Sequence, residues 1–329
     1  MGSLPSILLE RWRRILPEEA VTAAIEAHAS QPPRASTTTT LRLNPLRGDP
    51  DETRAQIEAS GARVVDVPWS KQALIVHASV ADLQRLPAHA DGDFHIQSLS
   101  SIATSVAFDP RPGESVLDLC AAPGSKTSHI AALMGNRGRL VAVEASRPRF
   151  FRLREVLRSL GAEAELHLAR GEQFARANRG CFDRVLVDAP CSAEGRILAG
   201  EADAAADWSL AKVRRLASAQ KSLLHAGIDA LRDGGTLVYS TCTLAPEENE
   251  LVLARALERY RDSIEIIDTG LPAALGAPGL DSWDGQSLPS ELRHARRLLP
   301  PLEGFFIARV RRRVARLASP GEPPRVPTR

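Results

Sequence analysis

Two stretches of this chain carry residue types able to do covalent chemistry. In "VLVDAPCSAEGR", Val185 to Arg196, a β-branched run stops at Asp188 and a Pro-Cys pair presents Cys191. In "LVYSTCTLAPEENE", Leu237 to Glu250, a second such run presents Cys242. A thiol attacks as its thiolate, so cysteines just past strand ends, one of them beside a carboxylate, are candidates for nucleophilic catalysis. On these residues alone Cys191 reads as a nucleophile, as an assistant to one, or as a small residue in a turn. The other two cysteines, Cys120 and Cys181, read as packing residues, Cys120 with a share in a loop. No pair has the CxxC spacing of a zinc site, so no metal is expected, and reduced thiols in a cytoplasmic setting are the default.

Composition narrows the class further. No apolar run approaches the roughly 18 residues of a membrane span, so a soluble protein without a membrane partner is expected. The N-terminal "MGSLPSILLERWRRILPEEA" mixes arginines with Glu10, Glu18 and Glu19 and reads as an amphipathic helix rather than a cleaved leader. The formal net charge is only +2, which announces no nucleic-acid partner by itself. Its distribution is more informative: from Glu291 onward ten arginines face three glutamates, the pattern of a phosphate-binding surface or of a solvated end. Lysine is confined to Lys71, Lys126, Lys212 and Lys221, which sets Lys126 apart in its loop.

The elements that must position these residues are legible from about Ser115. Short β-branched runs, "SVLDLC", "RLVAVEA", "AELHLA", "DRVLVDA", "GTLVYST", "IEIID" and "GFFIARV", alternate with amphipathic segments. That alternation predicts an α/β domain, a doubly wound parallel sheet of Rossmann-like type covered by helices. "PEENELVLARALERY" opens on Pro246 and a cluster of acids and reads as a helix start, not as catalytic carboxylates. The first hundred residues form a smaller α+β module: a helix over about Pro5 to Ala29, strands at "TLRLNPL", "ARVVDVP" and "ALIVHA", and helices at "DETRAQIEASG" and "VADLQRLPAH". The expected division is 1–95 for that accessory module, 96–315 for the large domain and 316–329 for a basic, Pro-rich tail. Trp208 in "ADWSL" reads as an anchor at a helix entry, and His129 and His225 lack a partner at metal spacing.

In a doubly wound sheet, ligands sit beyond the carboxyl ends of the strands, against the first loop and the helix that follows it. Here that loop is "DLCAAPGSKT". A phosphate-cradling Walker loop needs glycine where Ser125 stands, and a dinucleotide fingerprint needs GxGxxG where only Gly124 is present. S-adenosylmethionine (SAM), which has no pyrophosphate to cradle, is the third candidate. Glu144, ending the second strand, could then accept hydrogen bonds from both ribose hydroxyls, or could be a solvated strand end.

"DLCAAPGSKT", "VLVDAPCSAEGR" and "LVYSTCTLAPEENE", in this order and spacing, resemble the NOL/Sun family of RNA cytosine-5 methyltransferases, which includes bacterial enzymes acting on small-subunit ribosomal RNA. "IQSLSSIATSVAFDPRPGE" and "RRLLPPLEGFFIARVRR" extend the resemblance over nearly the whole chain. It implies a SAM-dependent methyltransferase domain whose loop Cys120, Ala121, Ala122, Pro123, Gly124, Ser125 and Lys126 holds the cofactor, with Glu144 on the ribose and Asp188 close to cofactor and base. Two departures stand out. Ser125 replaces a usual glycine, and Arg170 stands before Gly171 where the family has Asp-Gly near the adenine. An arginine cannot accept the adenine amino proton, so Glu172 or a backbone carbonyl must substitute, or SAM binds more weakly.

The family's reaction explains two thiols. Carbon 5 of cytosine is a poor nucleophile until a thiolate adds to carbon 6 and makes it an enamine carbon. The resemblance assigns that attack to Cys242 and assistance in breaking the adduct to Cys191, with Asp188 on the cytosine edge and Lys126 stabilising the thiolate or the developing charge. RNA is the implied partner, ribosomal or transfer, held by the N-terminal module and the arginine-rich C-terminal segment of a monomer. The competing expectation, motivated by Arg170, is a catalytically weak RNA-binding or ribosome-assembly factor. An amino-group methyltransferase is a third, but those enzymes carry a Pro-Pro-aromatic motif where this chain has "DAPC".

Overall fold

A computed structural model describes residues 4–29, 38–300 and 302–314. The basic tail over 316–329 lies outside the described residues.

The small module is a four-stranded antiparallel sheet in the order β2-β3-β1-β4. Its strands are β1 (Thr39–Leu43), β2 (Arg63–Asp66), β3 (Ala73–His77) and β4 (Phe94–Ile96). Leu41, Leu43, Ile57, Leu74, Val76 and Phe94 close its core. Two helices, α1 (Ser6–Trp12) and α2 (Glu18–Ala29), precede it, and α3 (Pro50–Ala59), α4 (Val80–Gln84) and α5 (Pro87–Asp91) interleave with the strands. The single helix expected over Pro5 to Ala29 is broken, because Pro17 has no N–H to continue the first helix and opens the second. "VADLQRLPAH" is divided for the same reason, with Pro87 starting α5. The first two helices pack away from the small sheet: Leu8, Trp12 and Val21 share a core with Ile197, Trp208 and Val213 of the large domain.

The large sheet runs β11-β14-β15-β9-β8-β5-β6-β7, with β10 against β15. Five strands are parallel: β5 (Ser115–Asp118), β6 (Arg139–Glu144), β7 (Glu165–Leu168), β8 (Phe182–Asp188) and β9 (Leu231–Thr241). Every side chain of β5 is buried and β6 is buried after its first residue, as a sheet covered on both faces requires. Then follow β10 (Ile264–Ile267), β11 (Ala277–Pro278), the hairpin β12 (Ser282–Trp283) and β13 (Gln286–Ser287), β14 (Arg296–Leu298) and β15 (Phe305–Arg312), which lies antiparallel to β9. All seven expected strands are present; the short β11 to β14 are additions.

The covering helices are α6 (Leu99–Phe108), α7 (Ser125–Met134), α8 (Arg147–Ser159), α9 (Gly171–Ala177), α10 (Glu194–Leu198), α11 (Ala202–Ala206), α12 (Leu210–Ala230) and α13 (Glu250–Tyr260). Strand order reverses between β5 and β8, and a crevice opens beyond strand ends at such a switch point. Among the described residues no helix is long and apolar enough to cross a membrane.

Candidate active site

The loop leaving β5 is shaped by a buried carboxylate. Asp118 accepts the Thr127 hydroxyl at 2.7 Å and the Cys120 N–H at 3.3 Å, tying the two ends of the loop together. Burial pushes this carboxyl up to about 7, the Thr127 hydrogen bond opposing the shift. Gly124 follows with φ 111°, a left-handed conformation that favours glycine, and starts α7. Ser125, where the family has glycine, heads α7 in ordinary helical conformation, so the departure costs the backbone nothing. Its hydroxyl meets His95 Nε2 at 2.9 Å.

The loop divides the site in two. On one side a cleft of about 310 Å³ is lined by Cys120, Glu144, Ser146, Arg149, Arg170 and Glu172. Glu144 is buried; it accepts the Ser146 N–H at 2.8 Å and lies 3.6 Å from Arg149. Arg149 also donates to the Ala122 carbonyl at 2.7 Å, closing the cleft floor. Ala121 and Ala122 are buried in packing and Pro123 faces outward, so these three contribute backbone to the loop. Arg170 and Glu172 both line the cleft and lie 3.8 Å apart, the Arg170 side chain 69% exposed at its rim and Glu172 16% exposed.

On the other side Lys126, the first turn of α7, reaches across to the end of β8. Its ammonium donates to Asp188 Oδ2 at 2.8 Å, and the Ser240 hydroxyl donates to Oδ1 at 2.7 Å. Asp188 and Ser240 are register partners on β8 and β9, so the chain beyond each strand emerges at one place. There the two candidate cysteines, 51 residues apart in sequence, bring their sulfurs to 3.1 Å. Pro190 also lines the cleft, so cofactor side and thiol side meet at the Pro190–Cys191 turn.

The two thiols are electrostatically unequal. A hydrogen bond from Cys191, helped by the Lys126 and Arg196 charges, holds Cys242 below the ordinary thiol value despite its burial. That same hydrogen bond, then burial and the Cys242 and Glu248 charges, drives Cys191 well above it. Of the two, Cys242 is therefore the sulfur favoured to carry charge and Cys191 the one favoured to keep its proton. Cys120 is also driven up, by burial first, which fits a bystander.

The structure adds residues that the sequence reading passed over. Of the "APEENE" acids only Glu250 stands in a helix start, and all three have partners: Glu247 pairs with Arg11, Glu248 is buried against the Cys191 turn, and Glu250 pairs with the buried Arg297. Helix α13 begins only at Glu250 because Asn249 is committed elsewhere, accepting from Thr241 at 2.6 Å and donating to the Thr243 carbonyl at 2.9 Å. Asp118 could have been suspected as the one carboxylate inside the "SVLDLC" run; Glu248 carries no local signal. Trp208 is an anchor, its indole donating to buried Glu194 at 3.1 Å. His129 is buried and bonded to Gln72, and His225 stacks on Tyr260. Among the described residues no group of three or more His, Cys, Asp or Glu is placed to hold a metal.

Two family models match the chain: 16S rRNA methyltransferase RsmB/F over residues 105–311, and the ferredoxin-like domain of RsmF/B-like methyltransferases over residues 4–81. Ribosomal RNA small subunit methyltransferase F of Erwinia tasmaniensis is 35% identical over 317 residues, 94% of this chain and 63% of that protein. Its counterpart in Vibrio campbellii is 34% identical over 322 residues, 95% of this chain and 64% of its own length. This chain thus spans less than two thirds of the length of these relatives. Among solved structures, a methyltransferase homologue from Pyrococcus horikoshii superposes with a TM-score of 0.76 at 31% identity, over 94% of this chain and 100% of that one.

Proposed function

The chain belongs to the 16S rRNA methyltransferase RsmB/F family, and from that premise we propose that it forms 5-methylcytosine in small-subunit ribosomal RNA, as a monomer in the cytoplasm, with SAM as methyl donor. The observation that carries this reading is the pair of sulfurs 3.1 Å apart beside the Lys126–Asp188 ion pair. Ribosomal rather than transfer RNA is favoured because the relatives named above are ribosomal RNA enzymes.

The cleft fits the cofactor. Glu144 spends one oxygen on Ser146 and keeps acceptor capacity for a ribose, and Glu172 supplies the carboxylate that Arg170 cannot. Bound there, SAM supplies an electrophilic methyl group. Cys242 is the nucleophile: its sulfur adds to carbon 6 of a cytosine turned out of its stack, and carbon 5 gains enamine character. Asp188 faces the cytosine edge and favours protonation of the ring nitrogen as electrons move onto the ring. Lys126 sets the charge of the Cys242–Asp188 surroundings. After methyl transfer the carbon-5 proton passes to solvent water, its bonding pair restores the carbon 5–carbon 6 double bond, and the electron pair of the carbon 6–sulfur bond returns to Cys242. Cys191, still holding its proton, donates a hydrogen bond to that departing sulfur and so promotes release.

The small module and the exposed arginines would hold RNA through phosphates. The arginine-rich stretch is only partly free for this, because Arg296, Arg297 and Arg309 are 14%, 1% and 17% exposed and pair with Asp268, Glu250 and Asp109.

The test is transfer of labelled methyl from SAM to small ribosomal subunits from cells lacking the gene, followed by digestion to nucleosides. Labelled 5-methylcytidine is expected; no label, or label in another nucleoside, overturns the assignment.

A further inference from the structure

We propose that Glu248 is a positioning residue for adduct release, its buried carboxylate fixing the Pro190–Ser192 turn so that the Cys191 thiol meets the Cys242 sulfur. The inference rests on the reading of Cys191 as the release group. Glu248 touches neither the cleft nor either sulfur, yet the residues on both sides of Cys191 are tied to it. Its oxygens accept the Ser192 N–H at 3.0 and 3.3 Å. Gln220 of α12 donates to it at 2.6 Å and, through the same nitrogen, to the Pro190 carbonyl at 2.8 Å. The Glu248 carbonyl is in turn held by the Tyr239 hydroxyl of β9 at 2.5 Å. A second tie joins the residues that follow the two cysteines, Ser192 and Thr243, whose hydroxyls lie 2.8 Å apart.

A carboxylate is the group this place requires. Glu248 is buried, and every polar neighbour bonded to its side chain is an N–H donor. An amide would turn its own N–H₂ toward the Ser192 N–H or the Gln220 N–H₂, leaving two buried donors face to face. Burial pushes the Glu248 carboxyl up to about 7, the Ser192 and Gln220 hydrogen bonds opposing the shift, and when ionised its charge helps Cys191 keep the proton of the hydrogen bond it offers the departing sulfur. Displacement of a reacting group by about 1 Å can cost on the order of a hundredfold in rate, so loosening this turn should slow release far more than attack.

Glu248→Gln should bind SAM as the parent does by calorimetry and form the covalent enzyme–RNA adduct at a normal rate. Turnover on unmodified small subunits should fall about tenfold or more, with a slow-migrating adduct accumulating on a denaturing gel. Cys191→Ala, run in parallel, is the reference: if it accumulates no adduct, the release-group reading falls and this inference with it. If it accumulates adduct while Glu248→Gln turns over like the parent, or loses adduct formation as fully as turnover, this inference alone is overturned. Should Glu248→Gln fail to fold, Gln220→Met, which removes the donor to both Pro190 and Glu248, must show the same excess of adduct over turnover; parent-like turnover would overturn the proposal.

Discussion

Cys242 and Cys191 are chemically the same residue and are made different by their neighbours. Lys126 and the Cys191 hydrogen bond favour charge on one sulfur; the resulting charge, burial and Glu248 keep the proton on the other. Both thiols and Asp188 could be picked out in the sequence because each stands at or just past the end of a β-branched run, and Lys126 because lysine is scarce in this chain. Glu248 and Gln220 could not, since their part is a contact between residues 28 apart that no periodicity records. The Arg170 departure belongs to this scale as well: Arg170 and Glu172 both line the cleft, Glu172 the more buried of the two at 16% against 69% exposed. Glu172→Gln should therefore weaken SAM binding about tenfold by calorimetric titration, the worth of one charge-assisted hydrogen bond. Arg170→Ala should change it by less than about threefold, and the reverse ranking would mean the adenine contact lies elsewhere.

At the scale of elements, the strands were legible because buried parallel strands read as β-branched runs, and several helix boundaries were not. Proline cut the first helix into two, and tertiary hydrogen bonds took Asn249 out of the last one. Helix α10, which follows the Cys191 turn, lies against Gly304, the residue before β15, by a contact that only glycine allows. A Cβ on Gly195 would lie 2.0 Å from the Gly304 carbonyl oxygen, and the Gly195 N–H donates to the Cys242 carbonyl at 3.0 Å. Gly195→Ala should destabilise the fold by about 2 kcal/mol in urea unfolding, with a larger relative loss of turnover than of SAM binding. Asp118 makes the cofactor loop pH-sensitive. Its folded carboxyl is raised to about 7 from 3.8, so the folded state holds a proton that the unfolded chain has released. The stability linked to that proton is full below about pH 4 and lost as pH rises through about 7. Asp118→Asn should flatten the decline in thermal midpoint between roughly pH 4 and pH 7, and an unchanged slope would show the carboxyl to be ionised throughout.

Across the whole molecule, the N-terminal helices dock on the large domain through a shared apolar core and polar ties, among them one to a buried carboxylate. Glu194 on α10 accepts the Trp12 indole at 3.3 Å and the Trp208 indole at 3.1 Å, and Arg11 pairs with Glu247 in the turn beyond Cys242. Glu194→Ala would leave two buried indole N–H groups without acceptors and should cost about 3 kcal/mol in urea unfolding. A loss below about 0.5 kcal/mol would show that the apolar core alone holds these helices. This docking was invisible in the sequence, where the same residues read as a free amphipathic helix and a helix-entry anchor. So was the use of the C-terminal arginines, part of whose charge is spent on carboxylates at helix ends, Glu250 of α13 and Asp109 after α6. The account as a whole turns on which thiol attacks. Cys191→Ala, incubated with SAM and unmodified small subunits, should accumulate a covalent RNA adduct that mass spectrometry places on the peptide containing Cys242. Accumulation instead in Cys242→Ala, with none in Cys191→Ala, would exchange the two roles and contradict the account.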